Sequence, residues 1–156
     1  MKQLLIVAHA PSENMQALVS ALAEGAQDSD IDGVTVVVSE ALSTTPEHVL
    51  ACDGIILFTS ENLAYMSGGM KDFFDRCYYP VLELKQGLPC ALLIRAGSDG
   101  TGTRRAIESI VTGLRWQWVQ EPVTCRGPWQ AEFVQQAREL GMGMSAGLAE
   151  IGRAHF

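Results

Sequence analysis

The sequence is short of positive charge, short of cysteine, and free of long apolar runs. Its 11 Lys and Arg are outnumbered by 18 Asp and Glu, for a net charge of −7. So few cations leave no basic patch for nucleic acid or an anionic membrane surface, and neither is expected as a partner. No apolar stretch approaches the ~18 residues of a membrane span. The four cysteines, Cys52, Cys77, Cys90 and Cys125, stand far apart, with no C-x-x-C pair and no histidine at metal-ligand spacing. That supports neither a disulfide framework nor an iron–sulfur site, and they read as reduced core thiols. No metal is expected. The chain has no G-x-x-x-x-G-K-[ST] loop and no G-x-S-x-G elbow, so a P-loop nucleotidase and an α/β-hydrolase are both excluded. His9-Ala10 stands after the first strand where a receiver domain needs an acidic pair and a phosphatase its cysteine. Met1-Lys2-Gln3 runs directly into a strand-like segment with no signal-peptide pattern, and a cytoplasmic location is the expectation.

What is there is an ordered globular chain. Its 156 residues suit one domain with a full core, and 47% hydrophobic against 19% charged residues excludes disorder. The organising stretch runs from Cys52 to Pro80. Ile55 to Phe58 form a short apolar run typical of a strand buried on both faces. A polar segment from Thr59 to Gly69 follows, read as a loop longer than the usual two to six residues. Such loops commonly bind something. Met70, Phe73, Phe74 and Cys77 then repeat at helical spacing until Pro80.

The same alternation runs along the whole chain. Strands are expected at Gln3 to Ala8, Val34 to Ser39, Pro89 to Arg95 and Trp116 to Thr124. Helical periodicity follows at Met15 to Ala26, Ala106 to Leu114 and Phe133 to Ile151, with a short helix from Pro46 to Ala51. Gly141, Gly143 and Gly147 weaken the last helix without abolishing it. Alternating β and α elements predict an α/β fold, a three-layer α/β/α sandwich on a five-stranded parallel sheet in order 2-1-3-4-5. In that arrangement ligands meet the loops after strands 1, 3 and 4. All three of these loops carry Ser, Gly, Asn or Asp.

Each loop has a chemistry and a plainer alternative. The first ends at a helix N-terminus, where free N–H groups with Ser12 and Asn14 suit a phosphate, and His9 could reach the same anion. Simple N-capping by Ser12 or Asn14, and the commoner role of such a histidine as a hydrogen-bonded turn residue, are the plainer alternatives. The second loop offers Tyr65 and Met66 as apolar surface for a flat heterocycle, with backbone groups from Ser60 to Ala64; ordinary packing of Tyr65 is the alternative. In the third, glycines between Gly97 and Gly102 allow close backbone approach, and Ser98, Asp99 and Thr101 add polar groups. Arg104 and Arg105, at the start of the following helix, suit a ribose 2′-phosphate or a solvated face.

The segments L-L-I-V-A-H-A-P-S-E-N-M-Q-A-L, D-G-I-I-L-F-T-S-E-N-L-A-Y-M-S-G-G-M-K-D-F-F-D-R and Q-G-L-P-C-A-L-L-I-R-A-G-S-D-G-T-G, between residue 3 and about 114, carry a resemblance. They are similar to the flavodoxin-like family, nearest the NADPH-dependent FMN reductase and NAD(P)H:quinone oxidoreductase branches. The resemblance implies FMN, with Ser12, Asn14, Met15 and Gln16 at its phosphate. Ser60, Glu61, Asn62, Leu63, Ala64, Tyr65 and Met66, with Gly97, Ser98, Asp99 and Gly100, would hold the isoalloxazine. It further implies NAD(P)H as co-substrate, a quinone, flavin or similar small acceptor, and a homodimer or higher oligomer with Tyr65, Tyr78 and Tyr79 at the contact. Two positions depart from the family pattern. Thr59-Ser60-Glu61-Asn62 stands in place of Thr-Pro-x-Tyr, and Glu13 and Met15 flank Asn14. A carboxylate at Glu61 beside a flavin would lower its reduction potential. An electron carrier docking on redox proteins, and a flavodoxin-like binding module without flavin, remain as alternatives.

Overall fold

The protein is described by a computed structural model covering residues 1–154. Its first strand, β1 (Lys2–Ala8), is followed by α1 (Glu13–Ala26) and β2 (Val34–Glu40). A 3₁₀ turn at Ala41–Ser43 leads to α2 (Pro46–Ala51), whose Thr45 and His48 form a reciprocal capping box. The organising stretch gives β3 (Gly54–Asn62), a two-residue strand β4 (Tyr65–Met66) and α3 (Gly68–Val81), which ends one residue past Pro80. Then come β5 (Pro89–Ala96), α4 (Thr101–Leu114), β6 (Gln117–Trp118), β7 (Val123–Arg126) and α5 (Glu132–Ala154).

The parallel strands lie in the order β2-β1-β3-β5-β6, with β7 also on β5. Counted by position in the sheet, this is the expected 2-1-3-4-5. Two details differ from the sequence reading. The fifth strand is not continuous from Trp116 to Thr124. Instead β6 pairs with Pro89 and Cys90 at the start of β5, and β7 pairs with Leu93 to Ala96 at its end. Pro122 lies in the gap between them, and its missing N–H is incompatible with an unbroken ladder. The segment Thr59 to Gly69 is not an open loop either. β3 continues to Asn62 and turns back antiparallel as β4, with Glu61 opposite Met66 and Asn62 opposite Tyr65.

Side chains leave the sheet alternately to two cores. Leu5, Val7, Ile55, Leu57, Leu92 and Ile94 face α2, α3 and α4, where Met70, Phe73 and Ile107 are fully buried. Leu4, Ile6, Ile56, Phe58 and Leu93 face the other way, against Leu18 and Leu22 of α1 and Ala137 and Met144 of α5. Each fully buried Leu, Ile or Phe contributes about 1.5–3 kcal/mol of transfer free energy. The continuous apolar runs of β1, β3 and β5 are thus explained by helices on both faces.

One glycine of α5, Gly141, has a packing reason. A Cβ on Gly141 would lie 2.0 Å from the Leu22 carbonyl oxygen, and one on Gly25 of α1 1.9 Å from that of Arg138. The two helices cross backbone to backbone through this glycine pair. Gly141 stays in the helix because α1 needs its missing side chain.

Candidate functional site

Parallel β1, β3 and β5 point their C-terminal ends the same way, so the segments that follow them collect at one edge of the sheet. The direction of winding reverses between β1 and β3, which opens a crevice there. The three segments singled out by sequence therefore share one rim.

At the first, Ser12 is the N-cap of α1, and its hydroxyl accepts the Met15 N–H at 3.2 Å. The Gln16 N–H goes to the Ser12 carbonyl at 2.9 Å, and the Gln16 side chain donates to the Ala10 carbonyl at 3.3 Å. Met15 and Gln16 thus spend their donors inside the turn. The N–H groups of Glu13 and Asn14 lie in the first turn, where no intrahelical acceptor exists, at the positive end of the helix dipole. Glu13 and Asn14 are exposed. His9 leans away from this terminus: its Nδ1 lies 3.0 Å from Glu40 Oε1 on β2. Its imidazole also covers the start of α3, where a Cβ on Gly69 would lie 2.5 Å from Nδ1.

The second segment is a tight hairpin. Leu63 and Ala64 form its two-residue tip with φ of 53° and 62°, the left-handed pair of a type I′ turn normally built from Asn and Gly. Leu63 is wholly exposed, and Tyr65 is 39% exposed. Met66 is buried in the core and offers a ligand no surface. Thr59 Oγ1 accepts the Ser67 N–H at 3.0 Å, which draws β4 back onto β3. Ser60 Oγ donates to Asn62 Oδ1 at 2.8 Å.

Hairpin and third segment are locked together. Glu61 accepts the Ser98 N–H on Oε1 and the Gly100 N–H on Oε2, each at 2.8 Å. Thr103 Oγ1 donates to the Tyr65 carbonyl at 2.8 Å, and the Ala64 carbonyl presses on Gly102, where a Cβ would lie only 2.1 Å away. Both Glu61 oxygens are turned into the backbone of the third segment. Glu61 is a bracket between two loops. Sequence reasoning placed Glu61 at the site by resemblance; its partners lie 37 and 39 residues away, and no local pattern announces them. Asp99 accepts the Thr101 N–H at 3.0 Å, and that bond holds its carboxyl below the usual range, with help from Arg126. Gly97, Ser98 and Asp99 are exposed.

Two residues outside the expected set belong to the surroundings. Arg76 joins α3 to the segment after β2, donating to the Thr44 carbonyl at 2.6 Å and the Ala41 carbonyl at 2.7 Å while paired with Asp72. The D-F-F-D-R run is therefore structural in part. Arg126, at the end of β7, was not singled out, because the sequence reading ended its strand at Thr124.

Among the described residues no group of His, Cys, Asp and Glu is placed to hold a metal ion, and no helix is long and apolar enough to cross a membrane.

No protein-family model and no curated protein matches the chain. Solved structures do. A flavodoxin from the domain Archaea superposes with a TM-score of 0.78 at 17% identity, covering 96% of this chain and 99% of that one. A WrbA-like flavodoxin from Agrobacterium tumefaciens gives 0.71 at 15% identity, covering 96% and 97%. An oxidoreductase from Corynebacterium diphtheriae gives 0.67 at 17% identity, with 96% of each chain covered. The fold is flavodoxin-like.

Proposed function

We propose that the chain binds FMN at the rim where its three segments meet, and passes hydride or electrons from NAD(P)H to a quinone, a flavin or a similar small acceptor. The observation that carries the reading is the placement of a helix N-terminus with free N–H groups beside a hairpin and a glycine-containing turn that are clamped to each other. The arrangement fits the group at both ends. Toward the phosphate, the Glu13 and Asn14 N–H groups and the Asn14 side chain are available. Toward the ring, Leu63 and Tyr65 expose apolar surface next to the backbone of Asn62 to Ala64, and Gly97, Ser98 and Asp99 are exposed on the segment clamped to that hairpin.

FMN itself supplies the hydride chemistry when bound. The residues of this chain bind, orient and shape access. Glu61 holds the hairpin and the third segment at fixed separation, so the ring site costs little reorganisation. No acid–base pair is required, and none is assigned. The third segment, Ala96 to Gly100, has no aromatic to cover a ring face, which supports access for a nicotinamide.

The test is an absorption spectrum of the purified protein with and without added FMN, followed by anaerobic NAD(P)H. Bound flavin bleached by NAD(P)H is the expected result. Failure to take up FMN would overturn the reading. Bound flavin that NAD(P)H leaves oxidised would instead favour an electron carrier, a role the net charge of −7 also suits because it steers docking on basic partners. A second copy of the chain would dock on the exposed face of α3. Tyr79 is 79% exposed there and meets Tyr78 edge-on at 5.1 Å. Sedimentation of the wild type as a dimer and of Tyr79→Ser as a monomer is the expected outcome.

A further inference from the structure

The sheet has two edges, and they are built differently. Beyond β5 the edge is split into β6, of two residues, and β7, of four, with Pro122 between them. The opposite edge is β2, whose seven residues Val34–Glu40 pair one to one with Lys2 to Ala8. It has no proline, no lysine and no bulge, the usual devices that keep an edge from pairing. Among the described residues β1 is its only strand partner. From Gly33 to Ser39 the chain carries no charged side chain, in a protein with a net charge of −7.

Which backbone groups face outward follows from the register. The Lys2 N–H donates to the Gly33 carbonyl at 2.9 Å, and Lys2 stands opposite Val34. In a parallel ladder that phase gives β1 the N–H and C=O groups of Thr35, Val37 and Ser39. Val34, Val36 and Val38 therefore turn theirs to the open edge, a ready template for another strand. The row ends at Glu40, whose carbonyl accepts the Thr44 N–H at 3.0 Å. Val34 and Val36 pack on the core shared with α1 and α5. Val38 is 51% exposed and borders a groove of about 470 Å³ with Ala10, Pro11 and Val19.

Any extended chain could satisfy the backbone, but the side chains select one. Val34, Val36 and Val38 read the same in both directions. A two-fold axis beside Val36 therefore sets Val36 against Val36 of a second copy, and Val34 against Val38. Each opposed pair exchanges both of its backbone bonds and brings two β-branched side chains together across the seam.

We propose that β2 pairs antiparallel with β2 of a second copy about this axis, joining the two sheets into one. The contact is separate from that at Tyr79 on α3 and independent of the flavin reading. A seam of two strands is small beside the ~1,200–2,000 Å² of stable interfaces, so it forms at higher protein concentration than the α3 contact. The same axis sets Asp32 opposite Glu40, and salt strengthens the pairing by screening them.

Hydrogen exchange of the Tyr79→Ser protein, followed from micromolar to millimolar concentration, tests the pairing without the α3 contact. The amides of Val34, Val36 and Val38 should slow as concentration rises. Those of Thr35, Val37 and Ser39, bonded to β1, should be slow throughout. In sedimentation over the same range, Val38→Lys should weaken self-association at least about tenfold, and Val38→Thr should leave it nearly unchanged. Exchange at Val34, Val36 and Val38 that ignores concentration would overturn the proposal and leave the edge to a different chain. Association undiminished by Val38→Lys would overturn it as well. The exchange pattern decides without any change to β2 itself.

Discussion

Two residues at the hairpin carry opposite expectations. Glu61 makes two charge-assisted hydrogen bonds to backbone N–H groups that have no other acceptor in the turn. Glu61→Ala should cost about 2 kcal/mol in urea unfolding, and the Ser98 and Gly100 amides should lose protection from hydrogen exchange. Glu61→Gln keeps one acceptor but turns an NH₂ toward an N–H, so it should recover less than half of the loss. Full recovery by Gln would mean that the carboxylate does not hold the loop. At the tip, Leu63 and Ala64 occupy left-handed backbone that costs roughly 1 kcal/mol for a residue with a Cβ. Leu63 is wholly exposed and gives nothing back in packing. Leu63→Asn with Ala64→Gly should raise the unfolding free energy by about 1–2 kcal/mol. A destabilised double variant would show that the apolar tip is covered in solution, by a ligand or by a second copy. This strain is also why the hairpin escaped the sequence. Leu-Ala carries no turn signal, and Thr59 to Gly69 reads as an open loop when its reversal rests on a pair that breaks the usual turn chemistry.

At the level of elements, the glycines of α5 separate intrinsic propensity from packing. Replacing a helix-interior glycine by alanine normally gains about 1 kcal/mol. At Gly147, where an added Cβ meets nothing within 4 Å, Gly147→Ala should show that gain or a part of it. At Gly141 the same change drives a methyl into the Leu22 carbonyl 2.0 Å away, so α1 and α5 must part. The sign should reverse, with a loss of about 2 kcal/mol or more, as for overpacked cores. Similar thermal shifts for the two variants would argue that α1 and α5 are not in close backbone contact. Periodicity alone made α5 a helix. Which of its glycines was indispensable depends on a helix more than 110 residues earlier in the chain, and no window of sequence contains that. β1, β3 and β5 were legible for the opposite reason: burial on both faces leaves an unbroken apolar run. The fifth strand was less so, because Gln120, Glu121 and Pro122 interrupt it where the sheet edge needs no partner.

Across the molecule, the cysteines couple both cores to pH. Cys52, Cys77 and Cys90 lie in the core beneath α2, α3 and α4, and Cys125 lies in the other. Burial pushes the Cys52, Cys77 and Cys125 thiols from the ordinary 9.0 up to about 11, and it raises Cys90 as well. The unfolded chain therefore releases its thiol protons near pH 9, while the native chain holds them to about pH 11. In that window the unfolded state binds fewer protons, so the unfolding free energy must fall as pH rises. The contribution is whole below pH 9 and disappears on the way to pH 11, at a rate on the order of 1 kcal/mol per thiol per pH unit. Denaturant unfolding at half-unit steps from pH 8 to 11 should show a steep decline, and native protein at pH 8 should leave all four thiols unreacted with an aromatic disulfide reagent. The other ionisable groups are common to every variant. The Cys52→Ala/Cys90→Ala protein should therefore start less stable and lose stability over this range with a visibly shallower slope. An unchanged slope would mean that the alkaline limit of this fold is set at its surface and not by the thiols in its two cores.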